Sequence, residues 1–265
     1  MQPTIVVPID TVAGSDAAVP VAGTIARQSG GRVVLLTVVP PEADTFEPMS
    51  RLADLSDWHG VDAHCRVEPA EGVADAIVSE CGGTNTLICM ETRARGALGE
   101  MVLGSVSERV LRESPGPVLL VGPHCGSPPE RFETMVVGLD GSPLAECILP
   151  LVADWSPHLD VVPWLFQVLP AAVPLGLGDD VHDSCYVQGL AHQLARPGHP
   201  VEWDVCRDRH PAAAIARFAA DRPGALVALT THGRSSIGRV ALGSVALDVA
   251  RRAAVPVLVV RPRPR

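Results

Sequence analysis

The residues best suited to chemistry are a small polar loop and a helix start in the second half of the chain. Thr230-Thr231-His232-Gly233 is followed, after nine residues, by Gly243-Ser244-Val245. Glycine lets a backbone approach a phosphate closely, and the N–H groups and dipole of a helix starting at Ser244 favour an anion. The stretch predicts a phosphate site, with the Ser244 hydroxyl as an added donor. His232 could add another, although a lone loop histidine is more often simply solvated.

A carboxylate follows a strand-like run near the middle of the chain. Asp140 ends the run from Met135, and Gly141-Ser142-Pro143 follows it, with Ser142 in the place of a helix N-cap and Pro143 at the first helical position. In nucleotide-binding folds, an acidic residue at such a place accepts hydrogen bonds from ribose hydroxyls. Taken alone, Asp140 is explained equally well by an ordinary turn between a strand and a helix. Together with the Gly243-Ser244 helix start, it favours a nucleotide pocket.

The composition excludes phosphate sites that depend on lysine and argues against two classes of partner. All 21 cationic residues of this 265-residue chain are arginine, so a GxxxxGK[ST] loop, a kinase-type lysine and a Schiff-base lysine are absent. The net charge of −9 argues against binding to nucleic acid or to an anionic membrane. We expect no metal site, because the segment with Asp179, His182 and Cys185 resembles a polar loop more than a four-ligand centre.

The cysteines and the N-terminus indicate a cytoplasmic protein. Seven cysteines occur without a CxxC pair, which is typical of reduced thiols and not of a secreted disulfide framework. The apolar run 5–9 is too short for a signal peptide, and the sequence has no apolar span of 18 residues. We therefore expect a cytoplasmic chain without a membrane segment.

The chain repeats itself. Residues 104–121 align with residues 243–260 with nine identities in 18 positions, and residues 5–10 align with residues 135–140. Glycine and proline are concentrated between the copies. The sequence therefore predicts a first domain over 1–122, a linker over 123–132 and a second domain over 133–265.

Each copy alternates apolar runs with helical stretches, which is typical of parallel sheets covered on both faces. We predict an α/β protein of two tandem five-stranded, doubly wound domains. In the second copy the predicted elements include one helix over 143–153, a strand over 159–168 and a long loop before the strand 201–206. Ligands of such sheets bind beyond the carboxyl ends of the strands.

The motifs of the second copy resemble the universal stress protein family. The resemblance rests on Asp140-Gly141-Ser142, Thr231-His232-Gly233, Gly243-Ser244-Val245 and the strand Pro256-Val257-Leu258-Val259-Val260, and it extends over both copies. It implies a Rossmann-like fold of the adenine nucleotide alpha hydrolase type. It also implies pairing of the two domains through their last strands, and it leaves a homodimer open.

The resemblance further implies a ligand, which is ATP, ADP or AMP, with or without Mg. In this interpretation Asp140 faces the ribose, the Val168 backbone lies by the adenine, and Gly233, Gly243, Ser244 and Val245 surround the phosphates. Thr230 stands where the family has its first loop glycine. The matching but weaker set in the first copy is Asp10, Val38, Ala94, Gly104, Ser105 and Val106.

The first copy departs from the pattern at the phosphates. Glu91 and Ala94 replace both loop glycines, and the Glu91 carboxylate is an unfavourable neighbour for an anion. Residues 1–131 carry nine arginines against 17 acids, whereas residues 132–265 carry 12 against 13. The second copy is therefore predicted to be the better nucleotide site.

Three functions follow from these observations. The first is a regulatory protein of stress response or growth arrest, a role implied by the resemblance, in which bound nucleotide stabilises the fold or a partner surface. The alternative is a nucleotide-independent, dimeric interaction scaffold with vestigial pockets. A slow ATPase ranks last, because no residue is a convincing catalytic base.

Overall fold

The computed structural model describes residues 2–10, 16–82, 85–92, 103–171, 179–231 and 243–262. In the first repeat the strands are β1 Thr4–Pro8, β2 Arg32–Val39, β3 Ala63–Pro69, β4 Thr86–Glu91 and β5 Val118–Val121. The helices between them are α1 Ala18–Ser29, α2 Phe46–His59, α3 Val73–Ser79 and α4 Ser105–Glu113.

The second repeat uses the same order with one more helix among the described residues. Its strands are β6 Thr134–Leu139, β7 Val162–Leu169, β8 Glu202–Arg207, β9 Ala225–Thr230 and β10 Val257–Val260. Its helices are α5 Pro143–Glu146, α6 Leu149–Leu159, α7 Asp179–Leu194, α8 Pro211–Ala220 and α9 Ser244–Arg252.

Three predicted elements of the second repeat were wrong in detail. The helix over 143–153 is interrupted, because Pro150 has no N–H to donate to the carbonyl of residue 146. The strand 159–168 starts only at Val162, since Leu159 ends α6 and Asp160 takes a left-handed conformation at φ 47°. The long loop before β8 contains the 16-residue helix α7, whose apolar residues form no clear stripe and which includes Gly189.

The ten strands form one sheet in the order β3-β2-β1-β4-β5-β10-β9-β6-β7-β8. Every neighbouring pair is parallel except β5 and β10, which run antiparallel. The predicted doubly wound α/β fold is confirmed. The last strands of the two repeats join two five-stranded halves, which are related by a pseudo-twofold axis.

Two apolar clusters cover the two faces of the sheet. Alternation along a strand sends Ile5 and Val7 of β1 to the face covered by α1 and α6, and Val6 to the face covered by α4 and α9. The inner strands β5, β6 and β9 are buried on both faces, as parallel strands in this fold require, whereas the outer strands β3 and β8 are only partly buried. No helix within the described ranges is long and apolar enough to cross a membrane.

One glutamine ties α1 of the first repeat to the start of the second. The Gln28 side-chain amide donates to the carbonyls of Phe132 at 2.9 Å and of Leu159 at 2.7 Å. Its carbonyl oxygen accepts the Phe132 N–H at 2.6 Å. Phe132 is fully buried, so these bonds satisfy backbone groups that water cannot reach.

We predict that Gln28→Ala lowers the free energy of unfolding by about 2–3 kcal/mol, because it leaves the buried Phe132 backbone without its partners. Urea unfolding followed by circular dichroism measures the loss. Gln193→Ala, on an exposed turn of α7, is the matched control and should change the midpoint little. Equal midpoints for the two variants would show that the Gln28 bonds do not hold the repeats together.

Candidate functional site

A cleft of about 160 Å³ lies at the carboxyl ends of β6, β7 and β9, beside the start of α9. It is the switch point of the second half, where the chain order of the strands reverses between β6 and β9. The described residues that line it combine an apolar wall with a few polar groups: Gly138, Leu139, Asp140, Ala145, Val168, Pro211, Ile215, Leu229, Thr230, Thr231, Gly243, Ser244, Val245 and Ala246.

Asp140 is held at the mouth of this cleft by its own turn. Its Oδ1 accepts the backbone N–H of Ser142 at 2.9 Å and the Ser142 hydroxyl at 2.6 Å. Ser142 Oγ in turn accepts the N–H of Ala145 at 3.2 Å and so caps α5. The turn predicted for this stretch is therefore present, and it fixes the Asp140 carboxylate at the cleft.

The backbone of Val168 offers the cleft a carbonyl group. The Leu169 carbonyl accepts the Asp208 N–H on the β8 side at 3.0 Å. Neighbouring residues of a strand direct their carbonyls to opposite sides, so the Val168 carbonyl points toward β6. The last registered pair of β6 with β7 is Leu139 with Gln167. The Val168 carbonyl therefore lies past the end of β6 and faces the cleft.

The helix α9 turns its N-terminus to the same cleft. Gly243 precedes it in an extended conformation at φ −61° and ψ 153°, and its N–H donates to the Thr231 carbonyl at 2.5 Å. Its N-cap residue Gly243 has no side chain to cap the helix, and its first turn contains no acidic residue. Among the described residues, the first N–H groups and the positive end of the helix dipole beside Ser244 and Val245 are therefore suited to an anion.

The first repeat has the same strand order but a different side chain across the crevice. Glu91 ends β4 and pairs in register with Val121, just as Thr230 ends β9 and pairs with Val260. The Glu91 Oε2 accepts the N–H of Ala17, at the start of α1, at 3.1 Å. A carboxylate of the chain itself thus serves a helix N-terminus whose N-cap residue, Ala17, has no capping side chain and whose first turn has no acidic residue.

A second replacement lies in the first strand of each repeat. Gly138 in β6 corresponds to Pro8 in β1, since these residues pair with Phe166 and Leu36 at equivalent registers. A Cβ atom at Gly138 would lie 2.4 Å from Leu229 Cδ2, so this glycine keeps the floor of the second cleft thin. Asp10, Gly104 and Ser105 are exposed, whereas Val38 and Val106 are half-buried.

Part of the predicted site lies outside the described residues. This applies to His232, Gly233 and Ala94. The structure brings Asp140, Val168, Thr230, Gly243, Ser244 and Val245 together in one cleft. Among the described residues, it shows no cluster of three metal-binding side chains.

The apolar wall formed by Pro211, Ile215 and Leu229 was missed by the sequence interpretation. The sequence indicates this wall only weakly, through the position of Pro211 and Ile215 in the first turns of α8, the helix that precedes β9. An apolar wall facing a backbone carbonyl is suited to a flat heterocycle.

Comparison with known proteins shows the family of the chain. The sequence profile of the universal stress protein family matches residues 1–84, 84–122 and 131–261. The chain belongs to the universal stress protein family. The family resemblance predicted from the motifs is therefore confirmed.

Relatives cover the whole chain. A universal stress protein from Mycolicibacterium smegmatis is 25% identical over 294 residues, which span 98% of this chain and 97% of that protein. One from Mycobacterium tuberculosis is 30% identical over 186 residues, which span 66% of this chain and 61% of that protein. The crystal structure of a universal stress protein from Archaeoglobus fulgidus has a TM-score of 0.70 at 19% identity, covering 97% of this chain and 98% of that one. That last likeness concerns the fold.

We predict that Glu91→Ala destabilises the first repeat by about 1 kcal/mol, because the α1 N-terminus loses its anionic acceptor. Amide hydrogen exchange at Ala17 should become faster, while the exchange of α5 stays unchanged. Glu42→Ala, which removes an equal charge from an exposed loop, is the control. Unchanged exchange at Ala17 would show that Glu91 does not act as a cap.

Proposed function

We propose that the second repeat binds one adenine nucleotide and that this binding is the function of the chain. The observation that carries the proposal is the convergence of Asp140, the Val168 carbonyl and the N-terminus of α9 on one cleft. Membership of the universal stress protein family supports it.

Each part of an adenine nucleotide has a counterpart at the cleft. The amino group of adenine is a donor that suits the Val168 carbonyl, and the ring fits the apolar wall of Ile215 and Leu229. Ribose hydroxyls are donors that suit the Asp140 carboxylate. The phosphates match the N-terminus of α9, where Gly243 leaves the backbone accessible and Ser244 adds a hydroxyl.

We propose a binding role without efficient catalysis. Among the described residues that line the cleft, Asp140 is the one ionisable side chain, and its Oδ1 already accepts two hydrogen bonds. Asp140 is therefore a poor candidate for a general base toward water. Bound ATP, ADP or AMP would act through stability, since a ligand that binds only the folded state stabilises it by mass action. Mg would accompany the phosphates and needs no protein cage.

We further propose that the chain works in the cytoplasm, in a stress response. Support comes from the thiols: none of the seven cysteines, all of which lie in the described ranges, forms a disulfide bond. Burial raises the pKa of the Cys125 thiol to about 11 and raises that of the fully buried Cys89 further. Thiols of this kind remain protonated and poorly reactive at neutral pH.

We predict that Asp140→Ala combined with Gly243→Val abolishes ATP binding and leaves the fold intact. Valine tolerates the extended backbone of residue 243, but its side chain would block the phosphates at the helix start. Isothermal titration calorimetry should give one ATP per wild-type chain and none for the variant. Circular dichroism checks that both are folded.

The first repeat provides the matched control. Asp10→Ala with Gly104→Val changes the equivalent pair, and a Cβ at Gly104 meets no atom within 4 Å. This variant should retain the wild-type affinity and stoichiometry. If wild-type protein binds no ATP, ADP or AMP and shows no thermal shift with them, the nucleotide proposal fails and the interaction scaffold takes its place.

A further inference from the structure

A second and larger cavity lies at the seam between the repeats. We call it the seam groove; its volume is about 870 Å³. Its walls come from the loop before β5, from α5, α6 and α7, and from the end of β10. It shares no lining residue with the nucleotide cleft. Apolar side chains such as Leu149, Trp155 and Leu190 dominate it, and the carboxylates of Glu146 and Asp154 lie among them.

The pseudo-twofold counterpart of this groove is already occupied by the chain itself. In the first repeat, the linker leaves β5 at Gly122 and follows α1. The Thr24 hydroxyl donates to the Pro129 carbonyl at 3.3 Å, and Gln28 binds both backbone groups of Phe132. Cys125 packs against the apolar cluster beneath α1. A proline-containing segment, which begins with a turn closed by the Cys125 N–H and the Gly122 carbonyl at 3.1 Å, therefore lies along α1.

The register of the strand pairs establishes which residues of the two repeats correspond. Arg32 pairs with Thr4 as Val162 pairs with Thr134, so α1 and α6 correspond at an offset of 130 residues. The helices end in equivalent left-handed residues, Gly30 and Asp160. Asp154, which lines the seam groove, is therefore the counterpart of Thr24, which contacts the linker.

The exit of the last strand corresponds as well. Thr230 pairs with Val260 as Glu91 pairs with Val121, an offset of 139. Arg261-Pro262 thus follows β10 where Gly122-Pro123 follows β5. Val260 and Arg261 line the seam groove at the point where the linker enters the counterpart groove.

Exposure shows the difference between the two grooves. Thr24 is 1% exposed beneath the linker, whereas its counterpart Asp154 is exposed. The chemistry also differs, because the Thr24 hydroxyl donates to a carbonyl, whereas a carboxylate only accepts. A segment seated on α6 must therefore bring a donor to Asp154. Glu146, which accepts the Tyr186 hydroxyl at 2.9 Å, adds a second negative charge, and Arg261 is the one cation of the described lining.

We propose that the seam groove binds a proline-containing peptide segment of a partner protein, with an arginine or lysine placed at Asp154. The apolar wall from Leu149 to Trp155 is suited to proline rings. Proline restricts the backbone of such a segment before it binds, so the segment loses less entropy on docking. The Asp154 carboxylate supplies the charge selectivity.

Synthetic peptides test the proposal on the full chain. The probe has the linker sequence 122–131 with serine at position 125 and a fluorescent label, and arginine or glutamate at position 129. Fluorescence anisotropy should show the arginine peptide binding at least about tenfold more tightly than the glutamate peptide, a preference that weakens with salt. Equal binding of the two peptides, or no binding of either, would overturn the proposal.

Charge reversal on the protein makes the test specific. Asp154→Asn should lose about tenfold in affinity for the arginine peptide. Asp154→Arg should reject it and accept the glutamate peptide. Glu202→Gln removes an equal charge from the edge strand β8 and should leave both affinities unchanged.

Asp154 is exposed, so these variants should fold. ATP titration of the same variants reports the nucleotide cleft separately. If Asp154→Arg does not reverse the preference for the arginine peptide over the glutamate peptide, the groove does not select peptides by charge, and the proposal fails.

Discussion

The short antiparallel ladder between β5 and β10 is the contact that the rest of the molecule depends on. It joins Val118, Leu119 and Leu120 to Val259, Leu258 and Val257, and all six side chains are buried. It turns two half-sheets into one and places α1 beside α6, where Gln28 and the linker complete the seam. The ladder consumes one edge of each half, so β3 and β8 are the edges left to the sheet. Both carry charged residues, which discourage edge-to-edge pairing.

Around this shared frame the two repeats have diverged by a few side chains at equivalent positions. Gly138 and Thr230 leave a cleft at the switch point of the second repeat, whereas Pro8 and Glu91 stand at the same places in the first. On the seam, Thr24 lies under the linker while Asp154 faces an open groove. Each half thus offers a different surface among the described residues: Glu91 and the linker lie at these two places in the first half, whereas a cleft and a groove lie there in the second.

The sequence predicted the alternation of strands and helices and several residues that line the cleft of the second repeat, because these depend on local patterns. Apolar runs mark the strands, and Asp140, Gly243 and Ser244 lie at strand ends and helix starts whose geometry is standard for the fold. Pro150 is a visible helix breaker in the sequence, but the predicted helix over 143–153 included it. Helix α7 was missed because no apolar stripe marks it. The contacts of Glu91 with Ala17 and of Gln28 with Phe132 join residues 74 and 104 positions apart, and no local pattern in a single sequence records such distances.

The long stretch of chain between β5 and β10 also bears on biosynthesis. On a ribosome, the first repeat emerges and can fold while β5 still lacks its neighbour, since β10 is made only after everything between Val121 and Val257. At the usual rate of about 5–20 residues per second, the apolar Val118–Val121 edge stays open for on the order of ten seconds. During that interval the edge is a template for β10 of another nascent chain, and closure in cis competes with a domain-swapped dimer built from the same ladder. The linker favours closure in cis, because it keeps the two strands on one tethered chain at a high effective concentration.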